Sequence, residues 1–166
     1  LYSRGLYYPR NPNHRSYPRP HHGSGSDATA VLFPESNDMI PQNRSYSTEH
    51  EWVRLAPDGL AIVGITEYAQ EQLGDVVFIE LPETGIQYQQ FDKVGEIESV
   101  KAVSDLYIPL GGIILITNDE VTQNPERINE SPYEDGWLFQ LQLSDPSEMD
   151  KLLTPQEYEE FLANQK

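Results

Sequence analysis

The sequence contains no cysteine, so disulfides, thiolate metal sites and a cysteine nucleophile are excluded together. Any redox chemistry has to come from an attached group. Long apolar runs are missing too: the best β-like stretches, residues 75–81 and 112–117, fall far short of the roughly 18 residues that cross a bilayer. No membrane partner is expected. Histidine is scarce, at 14, 21, 22 and 50 only, and none has partner ligands at metal spacing or a nucleophile to activate. That leaves no expected metal site and speaks against a hydrolase. The glycines at 64, 74 and 136 sit in no GxGxxG or Walker pattern, so they read as turn or close-approach residues.

Basic residues are few as well, 11 Lys and Arg against 27 Asp and Glu, for a formal charge of −16. The imbalance is unevenly spread. Residues 1–44 hold five Arg against three acids, whereas residues 45–166 hold six basic residues against 24 acids, a net −18. A surface of that sign repels phosphate backbones, which argues against nucleic acid as a partner of the domain, and it favours partners with basic docking faces.

A chain of 166 residues suits one compact domain plus a tail. Residues 1–26 carry Arg4, Arg10, Arg15 and Arg19, no acid, and many Tyr, Pro, His, Ser and Gly, which is not core material. An Arg-rich, acid-poor opening fits an organellar transit peptide; Pro9, Pro12, Pro18 and Pro20 would break the helix such peptides form, and a disordered tail is the other reading. The expected organisation is an extension over 1–44 and a folded domain over 45–166.

From Tyr46 short apolar runs alternate with turn residues. Residues 51–55 and 60–65 flank Pro57-Asp58-Gly59 as a hairpin, Thr66 caps a short helix through Leu73, and Gly74 ends it. Residues 75–81, 94–100, 102–108, 112–117 and 137–143 read as further strands, the second and third meeting at Lys101. Asp145-Pro146-Ser147-Glu148 and Thr154-Pro155-Gln156-Glu157 open two C-terminal helices. The expected class is mainly β, a flattened barrel or sandwich with short helices. Trp52 and Trp137 read as core or near-core aromatics.

Lys101 in Glu98-Ser99-Val100-Lys101-Ala102 is expected at an exposed hairpin tip. Taken alone, an exposed lysine is most often merely solvated. A carrier lysine needs this same placement, because a ligase must reach the amine and the attached arm must then visit other active sites.

The series His50-Glu51-Trp52-Val53, Val63-Gly64-Ile65-Thr66, Leu73-Gly74-Asp75-Val76-Val77-Phe78, Glu80-Leu81-Pro82, Glu98-Ser99-Val100-Lys101-Ala102, Ser104-Asp105 and Ser131-Pro132-Tyr133-Glu134-Asp135-Gly136-Trp137 resembles the H protein of the glycine cleavage system in order and spacing, over roughly residues 46–163. The resemblance implies a lipoyl-domain-like β fold and lipoate attached covalently to Lys101. Biotin is disfavoured, because biotin carriers place Met on both sides of their lysine where this chain has Val100 and Ala102.

The family role implied is a cosubstrate shuttle with no catalytic residue of its own. Glycine decarboxylase, a pyridoxal phosphate enzyme, passes an aminomethyl group to the arm; a tetrahydrofolate-dependent aminomethyltransferase takes it; dihydrolipoamide dehydrogenase reoxidises the dithiol. A lipoate-attaching enzyme is the fourth partner. Glu51 and Asp105 match carboxylates beside the cleft of the loaded arm, and Glu98 is a candidate for ligase recognition of the tip. The runner-up is a non-lipoylated scaffold or regulatory paralogue, or a lipoyl-relay protein. Two departures stand out: Gly111-Gly112-Ile113-Ile114-Leu115-Ile116 is more apolar than the usual family strand, and residues 1–44 have no counterpart in the minimal pattern, which favours an organellar, mitochondrial matrix form.

Overall fold

The computed structural model describes residues 40–165. Nine strands occur among them: β1 (Ser45–Tyr46), β2 (Glu51–Leu55), β3 (Leu60–Ile65), β4 (Val76–Glu80), β5 (Gln87–Tyr88), β6 (Lys93–Ser99), β7 (Val103–Tyr107), β8 (Gly112–Thr117) and β9 (Phe139–Leu143). They form two antiparallel sheets, one ordered β1-β2-β3-β9-β8-β5 and the other β4-β6-β7. Neither sheet closes on itself, so the architecture is a sandwich and the barrel alternative falls away.

Alternation along the strands supplies the core. Val53, Val63, Ile65, Ile114 and Leu141 of the larger sheet meet Ile79, Ile97 and Leu106 of the smaller one, all buried. Each such side chain contributes on the order of 1.5–3 kcal/mol by leaving water. The hairpin of β2 and β3 turns at Gly59 (φ 80°), with Asp58 Oδ1 accepting from Leu60 N–H. Helix α1 (Glu67–Leu73) begins where the Thr66 hydroxyl accepts from Ala69 N–H and ends at Gly74, as its caps predict.

A second cluster lies on the other face of the larger sheet. Trp52, paired with Gly64, points away from the sandwich interior and donates from Nε1 to Pro132 O at 2.9 Å. A methyl group on Gly64 would stand 2.5 Å from the indole, so only glycine admits this approach. Tyr46 and Tyr158 stack at 4.6 Å beside it, and helix α4 (Pro155–Ala163), opened by the full Thr154–Glu157 capping box, closes the cluster with Phe161 and Leu162. Trp52 is buried, and Trp137 packs half-buried against the same cluster.

Several details depart from expectation. The first C-terminal helix is a 3-10 segment, Pro146–Lys151, capped by Asp145 as anticipated. Helices α2 (Asp119–Gln123) and α3 (Glu126–Glu130) and strands β1 and β5 add to the elements that the sequence pattern marks. Packing also begins before residue 45: Ile40 joins the second cluster, Tyr46 donates to Pro41 O, and the Arg44 guanidinium lies 4.3 Å over Trp52 and donates to Tyr133 O. The remainder of the 1–44 extension, and so most of the transit-peptide expectation, lies outside the described residues. In the apolar stretch, Ile114 is buried while Ile113 and Leu115 face outward, which leaves the outer face there unusually apolar.

Candidate functional site

Ser99 organises the tip between β6 and β7. Its N–H donates to Ala102 O, and its hydroxyl oxygen accepts from Lys101 N–H and Ala102 N–H. Val100 N–H reaches across to Asp75 O at 3.1 Å. Val100 and Lys101 are thus the only residues between two fixed anchors. Both are exposed, and neither takes a left-handed conformation, so the turn is held by hydrogen bonds without strain.

The corner that receives the tip is pinned in turn by Asn129 on α3. Its amide donates to Gly74 O at 2.8 Å and to Gln70 Oε1 at 3.0 Å, and its oxygen accepts from Val76 N–H. Gly74 has φ 77° and ψ −157°, a conformation reserved for glycine. The Lys101 stem runs over this bare backbone, with Cε 3.2 Å from where a Gly74 Cβ would lie.

Next to that corner is a cleft of about 190 Å³. Ile65, Ala69, Leu73, Ile97 and Leu106 give it apolar walls, while Glu49, Glu51 and Asp105 bring carboxylates to it. The edge strand β7, helix α1 and the loop from β1 to β2 each supply one side. Such a space suits an aliphatic arm ending in a cation.

The two carboxylates foreseen for the cleft are held differently. Glu51 is buried; its Oε2 accepts from the Ser47 hydroxyl at 2.7 Å and its Oε1 from Tyr107 N–H at 3.1 Å. Burial pushes its carboxyl up to about 7, against the opposing pull of those hydrogen bonds. Asp105 is half-exposed, with Lys93 Nζ 3.0 Å from Oδ1 and the Tyr107 hydroxyl donating to Oδ2 at 3.2 Å. The hydrogen bond from Lys93 holds its carboxyl below the usual carboxylate range.

Glu98 lies elsewhere. It is exposed in β6, opposite Phe78 on one side and Val103 on the other, and does not line the cleft. Sequence reasoning missed Glu49, His50 and Lys93 as neighbours of the site. His50 was visible only as part of a motif; it lines the cleft with φ 71°, and its Nδ1 is 2.9 Å from the Tyr158 hydroxyl. Burial holds its imidazole below the ordinary value. Among the described residues no His and acid cluster has the geometry to hold a metal ion, and no helix is long and apolar enough to cross a membrane.

A two-sheet sandwich that offers an amine on a stiff turn beside an apolar, acid-bearing cleft has the form of a carrier module. The sequence model of the family described as glycine cleavage H-protein matches residues 44–165, and the chain belongs to that family. It is 45% identical over 123 residues to the glycine cleavage system H protein of Halothermothrix orenii, covering 74% of this chain and 95% of that protein. The Staphylococcus epidermidis protein of the same name is 47% identical over 123 residues, covering 74% and 97%. A crystal structure of the Mycobacterium marinum H protein superposes with a TM-score of 0.68 at 40% identity, covering 76% of this chain and 98% of that one. The chain is therefore a lipoyl-carrier component of glycine cleavage, working with the enzymes of that system, and is not itself a catalyst.

Proposed function

We propose that Lys101 is the lysine that bears the lipoyl group. The observation that carries this is the pairing of an exposed lysine on the two-residue turn with a stem lying against the corner beside the cleft. Lys93, the other lysine of the β region, is engaged by two carboxylates, Glu96 at 2.8 Å and Asp105 at 3.0 Å. Peptide mapping of chain produced with a lipoate-attaching enzyme tests the assignment: the adduct is expected on Lys101 and nowhere else.

When attached, the lipoyl disulfide supplies the chemistry, being reduced as it takes up an aminomethyl carbon and reoxidised after handing it on. The chain's own residues position and shelter. Ser99 fixes the turn, so the Lys101 side chain leaves the backbone from a constant point. Leu73, Ile97 and Leu106 line the cleft with apolar surface and would keep water from a labile group lodged there. Asp105, ionised, and Glu51, at the cleft wall, accept hydrogen bonds from a protonated amine.

In this reading the arm collects the aminomethyl group at glycine decarboxylase, delivers it to the tetrahydrofolate-dependent aminomethyltransferase and is reoxidised at dihydrolipoamide dehydrogenase. Exposed Phe78, Val100 and Val103 with Glu98 surround the lysine as the surface a lipoate-attaching enzyme would read. The acid-free, Arg-rich residues 1–26 support a mitochondrial matrix destination, which import of a fluorescent fusion of residues 1–44 would test.

A further inference from the structure

We propose that Lys93 is a positioning residue for the cleft: the resident counter-ion of Asp105, which competes with the cationic end of the carried group and so sets how firmly the cleft holds it. This rests on the cleft reading above and adds a residue that is not on the cleft wall. In the β6–β7 ladder Lys93 pairs with Tyr107 and Glu96 with Asp105, with a bulge between Lys93 and Gly95. The bulge re-aims Lys93 along the sheet, so that its ammonium bridges Glu96 Oε1 at 2.8 Å and Asp105 Oδ1 at 3.0 Å. With Tyr107 donating to Oδ2, both oxygens of Asp105 already hold a donor from its own sheet.

Glu51 differs in kind, since its partners are neutral donors, the Ser47 hydroxyl and the Tyr107 amide. Of the two foreseen carboxylates, Asp105 is thus the one whose charge is already matched by a cation. A protonated amine entering the cleft must share Oδ1 with Lys93 or displace it. Both partners are about half exposed, and an exposed ion pair is weak enough to exchange readily. That suits a carrier, which has to hold its cargo and also give it up. Removing the Lys93 charge leaves Asp105 Oδ1 free and tightens the hold.

The test uses the full chain as wild type, Lys93→Met, Lys93→Arg, Asp105→Asn and the double variant Lys93→Met/Asp105→Asn. The first readout needs no lipoate: in the unmodified chain, NMR titration of the Asp105 carboxyl, faced by Glu49 and Glu51 at the cleft and by Glu96, Lys93 and Tyr107 on its own sheet, should shift upward in Lys93→Met and recover in Lys93→Arg. The second follows spontaneous loss of the aminomethyl group from lipoylated, loaded protein freed of its partners. There one water is consumed, the C–S and C–N bonds break, and S–CH₂–NH₃⁺ becomes a thiol, formaldehyde and ammonium with no change in oxidation state.

Lys93→Met should slow this loss roughly twofold to fivefold, the range of an exposed ion pair, with Lys93→Arg at the wild-type rate. The slowing should disappear in the Asp105→Asn background and shrink at high salt. Loss at the wild-type rate or faster in Lys93→Met, or slowing that persists without Asp105, would overturn the proposal. If Asp105→Asn alone releases at the wild-type rate, the cleft reading beneath it fails instead, an outcome that the Asp105 titration separates from a failure of the Lys93 pairing.

Discussion

The stem of Lys101 lies across Gly74: a methyl group built on that glycine would stand 3.2 Å from Lys101 Cε and 3.8 Å from its Nζ. The same glycine ends α1, one residue after Leu73 of the cleft wall, in a conformation that other residues strongly disfavour. One position therefore stops the helix, leaves room for the lysine and borders the cleft. Gly74→Ala should lower stability by about 1–3 kcal/mol, because its backbone strain cannot be relieved while Asn129 pins the corner. The lysine stem is flexible and gives way. A lower urea midpoint at unchanged slope is the expected result; an unchanged midpoint would show that the corner relaxes.

Glu51 gives a pH signature of known sign. Its folded carboxyl is raised to about 7, above the unfolded value, so the favourable contribution of the neutral form is complete below about pH 4 and is lost as pH rises towards and through 7. Glu51→Gln removes that loss and keeps an acceptor for Tyr107 N–H. Relative to wild type, the variant should gain on the order of 2 kcal/mol between pH 5 and pH 8. Parallel stability curves for the two proteins would contradict the burial of an ionisable Glu51.

Arg44 marks where the folded part begins. Its guanidinium packs over Trp52 at 4.3 Å and bonds Tyr133 O, so Arg44→Ala should cost about 2 kcal/mol through lost packing and an unpaired carbonyl. Deleting residues 1–39, by contrast, should leave the thermal midpoint in place, since their composition offers little to a core. A shorter chain starting beyond Arg44 should melt earlier. Equal midpoints for both truncations would show that Ile40, Pro41 and Arg44 contribute nothing.

Much of this architecture was legible because its signals are local. Thr66 and Gly74 bracket α1, Asp58-Gly59 turns the first hairpin, and Thr154 with Glu157 opens α4. The two-residue strands β1 and β5 carry no periodicity; distant partners define them, Ser45 with Val53 and Gln87 with Ile113. Five-residue helices such as α2 and α3 are too short to show a 3.6-residue period. In the site, Lys101 and its tip followed from the motif, whereas the Lys93–Asp105 contact depends on a bulge and the Asn129 clamp on an unforeseen helix.

Charge should govern docking. Residues 45–166 carry −18, so affinity for the partner enzymes of the glycine cleavage system should fall steadily as ionic strength rises, chiefly through slower association. Titrations at several salt concentrations check this, and a flat response would mean that the interface is not electrostatic.

Intact-mass analysis with peptide mapping, on wild type and Lys101→Arg treated with lipoate-attaching enzyme, tests the central claim most directly. Arginine keeps the charge at an exposed turn, so stability should change by no more than about 0.5 kcal/mol, but its guanidinium is not a usable amine nucleophile. Wild type should gain one lipoyl adduct on Lys101 and move from a formal charge of −16 to −17, because an ammonium becomes a neutral amide. Lys101→Arg should stay folded, unmodified and unable to accept the aminomethyl group. A lipoyl adduct on the variant, or wild type modified at Lys93 instead, would contradict the account.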